Sequence, residues 1–303
     1  MTQAGFWRQT QPTNQRVVLG GYGNFNNVWY LLPQGGGGTL GNPKRNVFAT
    51  FAELAPNLRD KDLIILGGVL REQALAPLGV FDVTIMGGAN LPRQATNSGV
   101  PTGGGAYWTF PTETTPTAAT ALLTLREQGW AIQNIAFTPF TSSPCIEGIR
   151  AESATYPDPS HLLIDGCLMI DGTTGIGFQD SGGCSDVVIQ DCRFQSLATA
   201  IKGIAGAGIA TPLTHQYLRN FFNQNTNDIV IGCSYGIIQG NRFKNTTTQK
   251  VDLTAGGHEI VVLNFFDDNA ADIDPAHGYT GSAAGTWGNY TLNQAALQVG
   301  QPA

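Results

Sequence analysis

The sequence predicts an all-β chain wound as a parallel β-helix. Three observations point there: a short apolar motif that recurs, turn residues between its copies, and a composition poor in charge and rich in glycine. The motif is an apolar residue, a small or amide residue three places on, and a large apolar residue two places after that. It occurs as Ile132–Ile135–Phe137, Ile164–Cys167–Met169, Ile189–Cys192–Phe194, Tyr217–Asn220–Phe222, Ile238–Asn241–Phe243 and Val261–Asn264–Phe266. Successive starts lie 32, 25, 28, 21 and 23 residues apart. One strand-like unit every 20–30 residues is the mark of a solenoid.

The motif does not follow a helical stripe. Leu162–Met169, Val187–Phe194 and Ile260–Phe266 are rich in Ile, Val, Leu and Phe, and Asp171-Gly172, Ser181-Gly182-Gly183 and Gly256-Gly257 punctuate them. This is the signature of short strands joined by turns. A leucine-rich repeat needs leucines at fixed spacing and a helical half-repeat, and neither is present. Spacing alone leaves a β-sandwich of unrelated strands open. In a β-helix each coil lies about 4.8 Å above the last, so equivalent residues stack. Cys167 then falls under Cys192, and Asn220 under Asn241 and Asn264. Stacked amides can hydrogen-bond along the axis. Phe194, Phe222, Phe243 and Phe266, with Met169, form an apolar ladder inside.

Residues 1–47 lie outside the repeat. Phe6, Trp7, Tyr22, Phe25, Trp29 and Tyr30 stand there among Gly, Asn and Gln. Aromatics with little charge suit a docking surface, with Trp7, Tyr22, Trp29 and Tyr30 as anchors. They suit equally a cap on the first coil. Residues 48–269 form the β-helix. A short helix is expected at Phe51–Leu54 ahead of Pro56, followed by strands in Asp62–Gly68, Val69–Glu72 and Val80–Gly88. Residues 93–117 read as a Gly/Thr/Pro-rich insertion that exposes Tyr107 and Trp108. Ala121–Leu125 resumes the strands. Residues 199–215 read as a small-residue loop. Residues 270–303 leave the pattern and form a C-terminal cap or subunit-exchange tail, with a last strand in Gly285–Leu292.

Charged residues are 13% of the chain, about half the usual ~25%. Low charge on a large surface points to subunit contact. Net charge is −6 and no Lys/Arg run exists, which argues against duplex nucleic acid. No apolar stretch is long enough to span a membrane. The start lacks a basic and apolar leader, so synthesis in a cytoplasm is expected. The five cysteines show no metal spacing, and neither do the four histidines. No metal or cofactor is expected.

Two features carry a family resemblance. Asp60-Lys-Asp62 and Leu70-Arg-Glu72 resemble the opening coils of pectate-lyase-like β-helices. The repeat beginning at Gln128-Gly-Trp130, with non-repeat segments on both flanks, resembles the β-helix proteins of tailed-bacteriophage virions: tailspikes, appendages and head decorations. The resemblance covers about residues 48–268. It implies a right-handed single-stranded parallel β-helix that assembles as a homotrimer. It also implies location in the virion, other capsid or tail proteins as partners, and contact with host-surface polysaccharide. The chain is short for a tailspike, which favours a structural or decorating role over receptor cleavage.

Catalytic patterns of the fold are incomplete. Asp267-Asp268 and Gly257-His258 occur in the reverse of the polygalacturonase order. The acidic residues nearest to a lyase calcium site are Asp165, Asp171, Asp180, Asp186 and Asp191, with Arg150 and Arg193. A glycosidase needs two carboxylates roughly 5–9.5 Å apart. Stacking offers Asp171 with Asp191, or Glu147 with Glu152. The readings are therefore a trimeric virion structural protein, a polysaccharide lyase or hydrolase, and a non-catalytic glycan-binding module using Tyr107 and Trp108.

Overall fold

The structure is a computed structural model. It describes residues 25–33, 46–88, 105–110, 121–138, 147–152, 159–179, 184–203, 214–231, 235–252, 260–266, 279–280, 285–287 and 290–291. Trp7, Tyr22 and Asp180 lie outside the described residues.

Every described strand pairing is parallel. Sheet 1 stacks eleven strands in the order β2 (Val47–Phe48), β1 (Val28–Leu31), β3 (Leu63–Leu66), β6 (Thr84–Gly87), β9 (Ala131–Gln133), β12 (Leu163–Asp165), β14 (Val188–Gln190), β16 (Gln216–Leu218), β19 (Ile237–Gln239), β22 (Ile260–Val262) and β25 (Gly285–Trp287). Sheet 2 stacks β4 (Gly68–Arg71), β7 (Ala106–Thr109), β10 (Ala136–Phe137), the start of β13 (Leu168–Gln179), the start of β15 (Arg193–Gly203), β17 (Phe221–Asn223), β20 (Arg242–Lys244), β23 (Phe265–Phe266) and β26 (Tyr290–Thr291). Sheet 3 holds β5 (Ala74–Leu75), β8 (Ala121–Leu125), β11 (Glu147–Glu152), the ends of β13 and β15, β18 (Asn227–Ile231), β21 (Gln249–Asp252) and β24 (Tyr279–Thr280). Sheets 2 and 3 are continuous where β13 and β15 run round the corner between them. The fold is a right-handed parallel β-helix, the hand that parallel crossovers adopt.

The repeat motif sets the register. Ile132, Ile164, Ile189, Tyr217, Ile238 and Val261 are in-register neighbours in sheet 1 and point into the core. Branched residues suit this pleated, buried stack. A corner follows, where one residue per coil is left-handed: Asn134, Gly166, Asp191, Arg219, Gly240 and Leu263, with φ of 55°, 61°, 52°, 55°, 67° and 55°. The next residue turns inward. There Asn220, Asn241 and Asn264 are buried to 0–1% exposure and form the expected amide ladder. Each Oδ1 accepts the backbone N–H of the coil below, at 2.9 Å to Cys192, 2.8 Å to Asn220 and 2.9 Å to Asn241. Each Nδ2 donates to the carbonyl of Ile189, Tyr217 or Ile238. Below the asparagines the backbone N–H of Cys167 reaches Sγ of Cys192 at 3.3 Å, and both thiols are free. Two places further on, Phe194, Phe222, Phe243 and Phe266 stack face to face, with centroids 5.0, 4.9 and 5.0 Å apart.

The open lower end is capped. Helix α1 (Phe51–Leu54) buries Phe51 and Leu54, and the Thr50 hydroxyl accepts the N–H of Glu53. The two carboxylates of the opening motifs hold this end. Asp62 accepts from Asn27, from the Trp29 indole at 2.7 Å and from the N–H of Arg59. Glu72 accepts the N–H groups of Phe51 and Ala52 at 2.7 and 2.8 Å.

Two expectations are corrected. Tyr107 and Trp108 are not exposed loop residues. They sit in β7, with 1% and 0% of their surface exposed. Trp108 stacks on Phe137 at 5.8 Å and its indole donates to the Glu72 carbonyl. A strand of four residues between Gly- and Pro-rich stretches carries too little periodicity to stand out. Residues 199–203, expected in a loop, continue β15, because Ile201 belongs to the inner column of sheet 3. Trp29 fits the cap of the two readings offered for the N-terminal aromatics: half-buried, it meets Phe48 edge-on at 5.7 Å and packs on the core. Tyr30, also half-buried, pairs within sheet 1 beside it.

Candidate functional site

The carboxylates singled out by the sequence occupy three separate places. Glu147 and Arg150 form an ion pair at 2.5 Å, with side chains 5% and 9% exposed. Both lie on β11, against β13. Gly177 makes the space, since a Cβ there would stand 2.7 Å from Oε1 of Glu147. Glu152 is half-buried five residues along the same strand. A buried carboxylate gripped by a guanidinium is a structural ion pair. It does not face Glu152 across an opening.

Asp171 occupies the corner between sheets 2 and 3. Its φ is 52°, one of a second left-handed column with Ser196, Gln224 and Asn245. Burial pushes its carboxyl above 3.8, while a hydrogen bond with Ser196 pulls it down. Asp191 occupies the other corner, between sheets 1 and 2. Its counterpart in the coil of Asp171 is Gly166, five residues earlier, so the two corner columns are separated by roughly 16 Å of extended chain. Stacking therefore does not bring Asp171 and Asp191 together.

Asp191 has other neighbours. Arg219, directly above it, donates Nε to Oδ1 at 2.9 Å and Nη2 to Oδ2 at 2.6 Å. The same guanidinium reaches Gln190 at 3.3 Å. Asp165 stands beside Gln190 in sheet 1. Burial raises the Asp165 carboxyl first and the Asp191 charge second, against the Gln190 hydrogen bond and Arg219. The corner thus joins a carboxyl that retains its proton more readily to a carboxylate fixed by a two-pronged ion pair. The pair lies on one outer edge of the coil, not across a groove. Asp186, a further acidic candidate, takes a hydrogen bond from Thr214 and lies 3.6 Å from His161.

Arg219 was not singled out by the sequence, yet the signal was present. Asp191 and Arg219 each immediately precede a ladder residue, Cys192 and Asn220, so stacking the ladder stacks them too. His215 was also missed. It is fully buried, bonded to the Tyr217 hydroxyl and the Cys184 carbonyl, each at 2.8 Å, and tilted against Phe178.

Together these features define a β-helix of continuous internal ladders with its prominent acidic groups engaged in ion pairs and turns. No family model and no curated protein matches the chain. Among solved structures it is similar to the pectin methylesterase of Aspergillus niger in deglycosylated form. That match has 13% identity and a TM-score of 0.45 over 92% of this chain and 87% of the esterase. It is also similar to a PL6-family alginate lyase, at 13% identity and a TM-score of 0.47. That match covers 88% of this chain and 40% of the lyase.

Proposed function

We propose that the chain is a structural β-helix of a bacteriophage particle, a homotrimeric decoration or spike attached to capsid or tail. The observation that carries this reading is the outward face of sheet 1. From β3 to β22 its outward residues include the partly exposed Ile65, Val188, Leu218, Ile237 and Ile260 beside Gln190, Gln216 and Gln239, while Leu63, Met86 and Leu163 lower down are 1–6% exposed and already covered. Among these described strands the face bears one charged residue, Asp165. Near its upper end Ile260 and Leu263 are 43% and 41% exposed. A flat, nearly uncharged sheet face is poorly matched to water and well matched to another copy of itself. Closed rings are the common way for such a face to be satisfied. The engagement of Glu147 by Arg150 and of Asp191 by Arg219 favours this structural reading over a hydrolase.

The test has two arms. Light scattering of the full chain should give the mass of three copies at micromolar concentration. Gradient-purified particles encoded with this chain should contain it at a fixed copy number. A stable monomer, or particles lacking the chain, would overturn the reading.

A further inference from the structure

A second surface differs in character from the uncharged face. On sheet 2 the outward residues of successive upper coils are Arg193, Phe221, Arg242 and Phe265, paired in register. The next outward column is Gln195, Asn223 and Lys244. In the coils below, the same columns hold Ala136, Leu168 and Ile170, all buried. Above these buried rungs the cations run from Arg193 upward, with Arg71 standing apart at the foot of the second column.

The strip is organised by its aromatic ring. The guanidinium of Arg193 lies 5.4 Å from the centre of Phe221, and that of Arg242 lies 5.7 Å from it on the neighbouring coil. Cation–π contact holds both planar forks on a rigid strand surface. Arg193 also donates to Gln195 at 2.8 Å, which fixes its direction. The two guanidinium groups are two coils apart, about 10 Å along the axis. Arg193 and Arg242 are exposed and Lys244 half-buried, and the described residues of the two columns include no carboxylate. In a chain of net charge −6 this is a local reversal of sign.

We infer that this strip binds a linear acidic polysaccharide, whose carboxylates bridge Arg193, Arg242 and Lys244 along the axis. Charge complementarity and spacing carry the inference. Positioned guanidinium forks take carboxylates through paired, charge-assisted hydrogen bonds. A ribbon-like polymer that turns by half at each sugar presents its carboxylates on one side at every second residue. Such a ligand meets a ladder whose guanidinium groups also recur at every second coil. Gln195 and Asn223 lie between the cations and can bond hydroxyl groups. A second copy of the chain is a poorer occupant. At the height of these coils, the carboxylates of the described residues are the fully buried Asp228, the half-buried Asp252, Asp186 bonded to Thr214 and Asp191 held by Arg219. The inference does not depend on the chain belonging to a particle.

The experiment uses the full chain with alginate and polygalacturonate oligosaccharides, and with neutral dextran as control, followed by calorimetry. Both acidic polymers should bind, dextran should not, and raising the salt should weaken binding. The triple variant R193Q/R242Q/K244Q should lose about tenfold or more in affinity, since it removes three charge-assisted contacts. Its melting temperature and light-scattering mass should not change. F221L keeps the bulk but removes the ring, and should weaken binding several-fold by freeing the guanidinium groups. No binding of either acidic polymer at millimolar concentration would overturn the inference. So would unchanged affinity in the triple variant. A triple variant that changes mass while neither form binds polymer would assign the strip to subunit contact instead.

Discussion

Oδ1 of Asn241 accepts two hydrogen bonds from Asn220, one from its backbone N–H at 2.8 Å and one from its Nδ2 at 3.1 Å. Nδ2 of Asn241 in turn donates to the Tyr217 carbonyl at 2.8 Å and to Asn264 at 3.0 Å. One buried side chain thus serves two neighbouring coils. Asn241→Ala leaves the Asn220 N–H and the Tyr217 carbonyl without their partner, in a place water does not reach. Each orphaned group costs about 1–3 kcal/mol. We expect a loss of at least about 2 kcal/mol in urea denaturation, and Asn241→Asp should restore only the accepting half.

The phenylalanine ladder beside it is a packing device. Phe194, Phe222 and Phe243 are completely buried and stack within 9° of parallel. Phe194→Ala or Phe243→Ala should cost about 3–5 kcal/mol, the range for a buried aromatic. Phe243 has a ring above and a ring below, so its loss breaks two stacks. A near-neutral Phe243→Ala in equilibrium denaturation would contradict the packing.

Much of this was legible in the sequence because the ladders recur at fixed offsets. Asn and Phe at the third and fifth places after each sheet 1 apolar residue leave little freedom once coils stack. The short helix at Phe51–Leu54 was legible from its position ahead of Pro56. The carboxylate site was less so. A repeat period alone does not say which column an acidic residue joins, and Asp171 and Asp191 belong to different corners. Tyr107 and Trp108 were misread because an isolated four-residue rung has the composition of its flanking loops. The cation strip escaped notice because Arg193 and Arg242 matter only when Phe221 lies between them, which is a property of register.

The buried His215 makes the fold sensitive to acid. Burial lowers its pKa from 6.5 to about 4, against opposing effects of the Cys184 carbonyl and the Asp186 charge. The folded state therefore keeps the ring neutral while the unfolded chain protonates near pH 6.5. The contribution is complete above pH 6.5 and is lost as pH falls towards 4. A shift of this size corresponds to about 3 kcal/mol. His215→Gln should lower stability at pH 7.5 but flatten its dependence between pH 6.5 and 4, as read from thermal melts.

Gly175 marks where two coils touch. A Cβ there would lie 2.6 Å from the Ala200 carbonyl oxygen, 3.0 Å from Phe194 and 3.1 Å from Leu197. The nearest contact is backbone, held in the coil above by the β13–β15 pairing, so it cannot swing aside. Gly175→Ala should therefore destabilise by about 1–3 kcal/mol, the usual cost of overpacking. Calorimetric melting of the variant should show the drop.

Leu263 offers the opposite sign. It occupies the left-handed corner column with φ of 55°, where Gly166 and Gly240 stand in two lower coils. A branched side chain in that conformation costs about 1–2 kcal/mol, because its Cβ crowds the carbonyl oxygen. Leu263 is 41% exposed, so its side chain recovers little of this by burial. Glycine removes the crowding but gives up about 0.5–1 kcal/mol in unfolded-chain entropy. Asparagine tolerates the left-handed region and keeps a side chain. Leu263→Asn should then stabilise the chain by about 1 kcal/mol and Leu263→Gly by less. If subunits meet at this corner, the same substitutions raise the melting temperature of the dissociated chain yet weaken the trimer. Melting at two protein concentrations a hundredfold apart separates the two effects. A fall in melting temperature at both concentrations would mean that the side chain contributes more through contact than its backbone loses through strain.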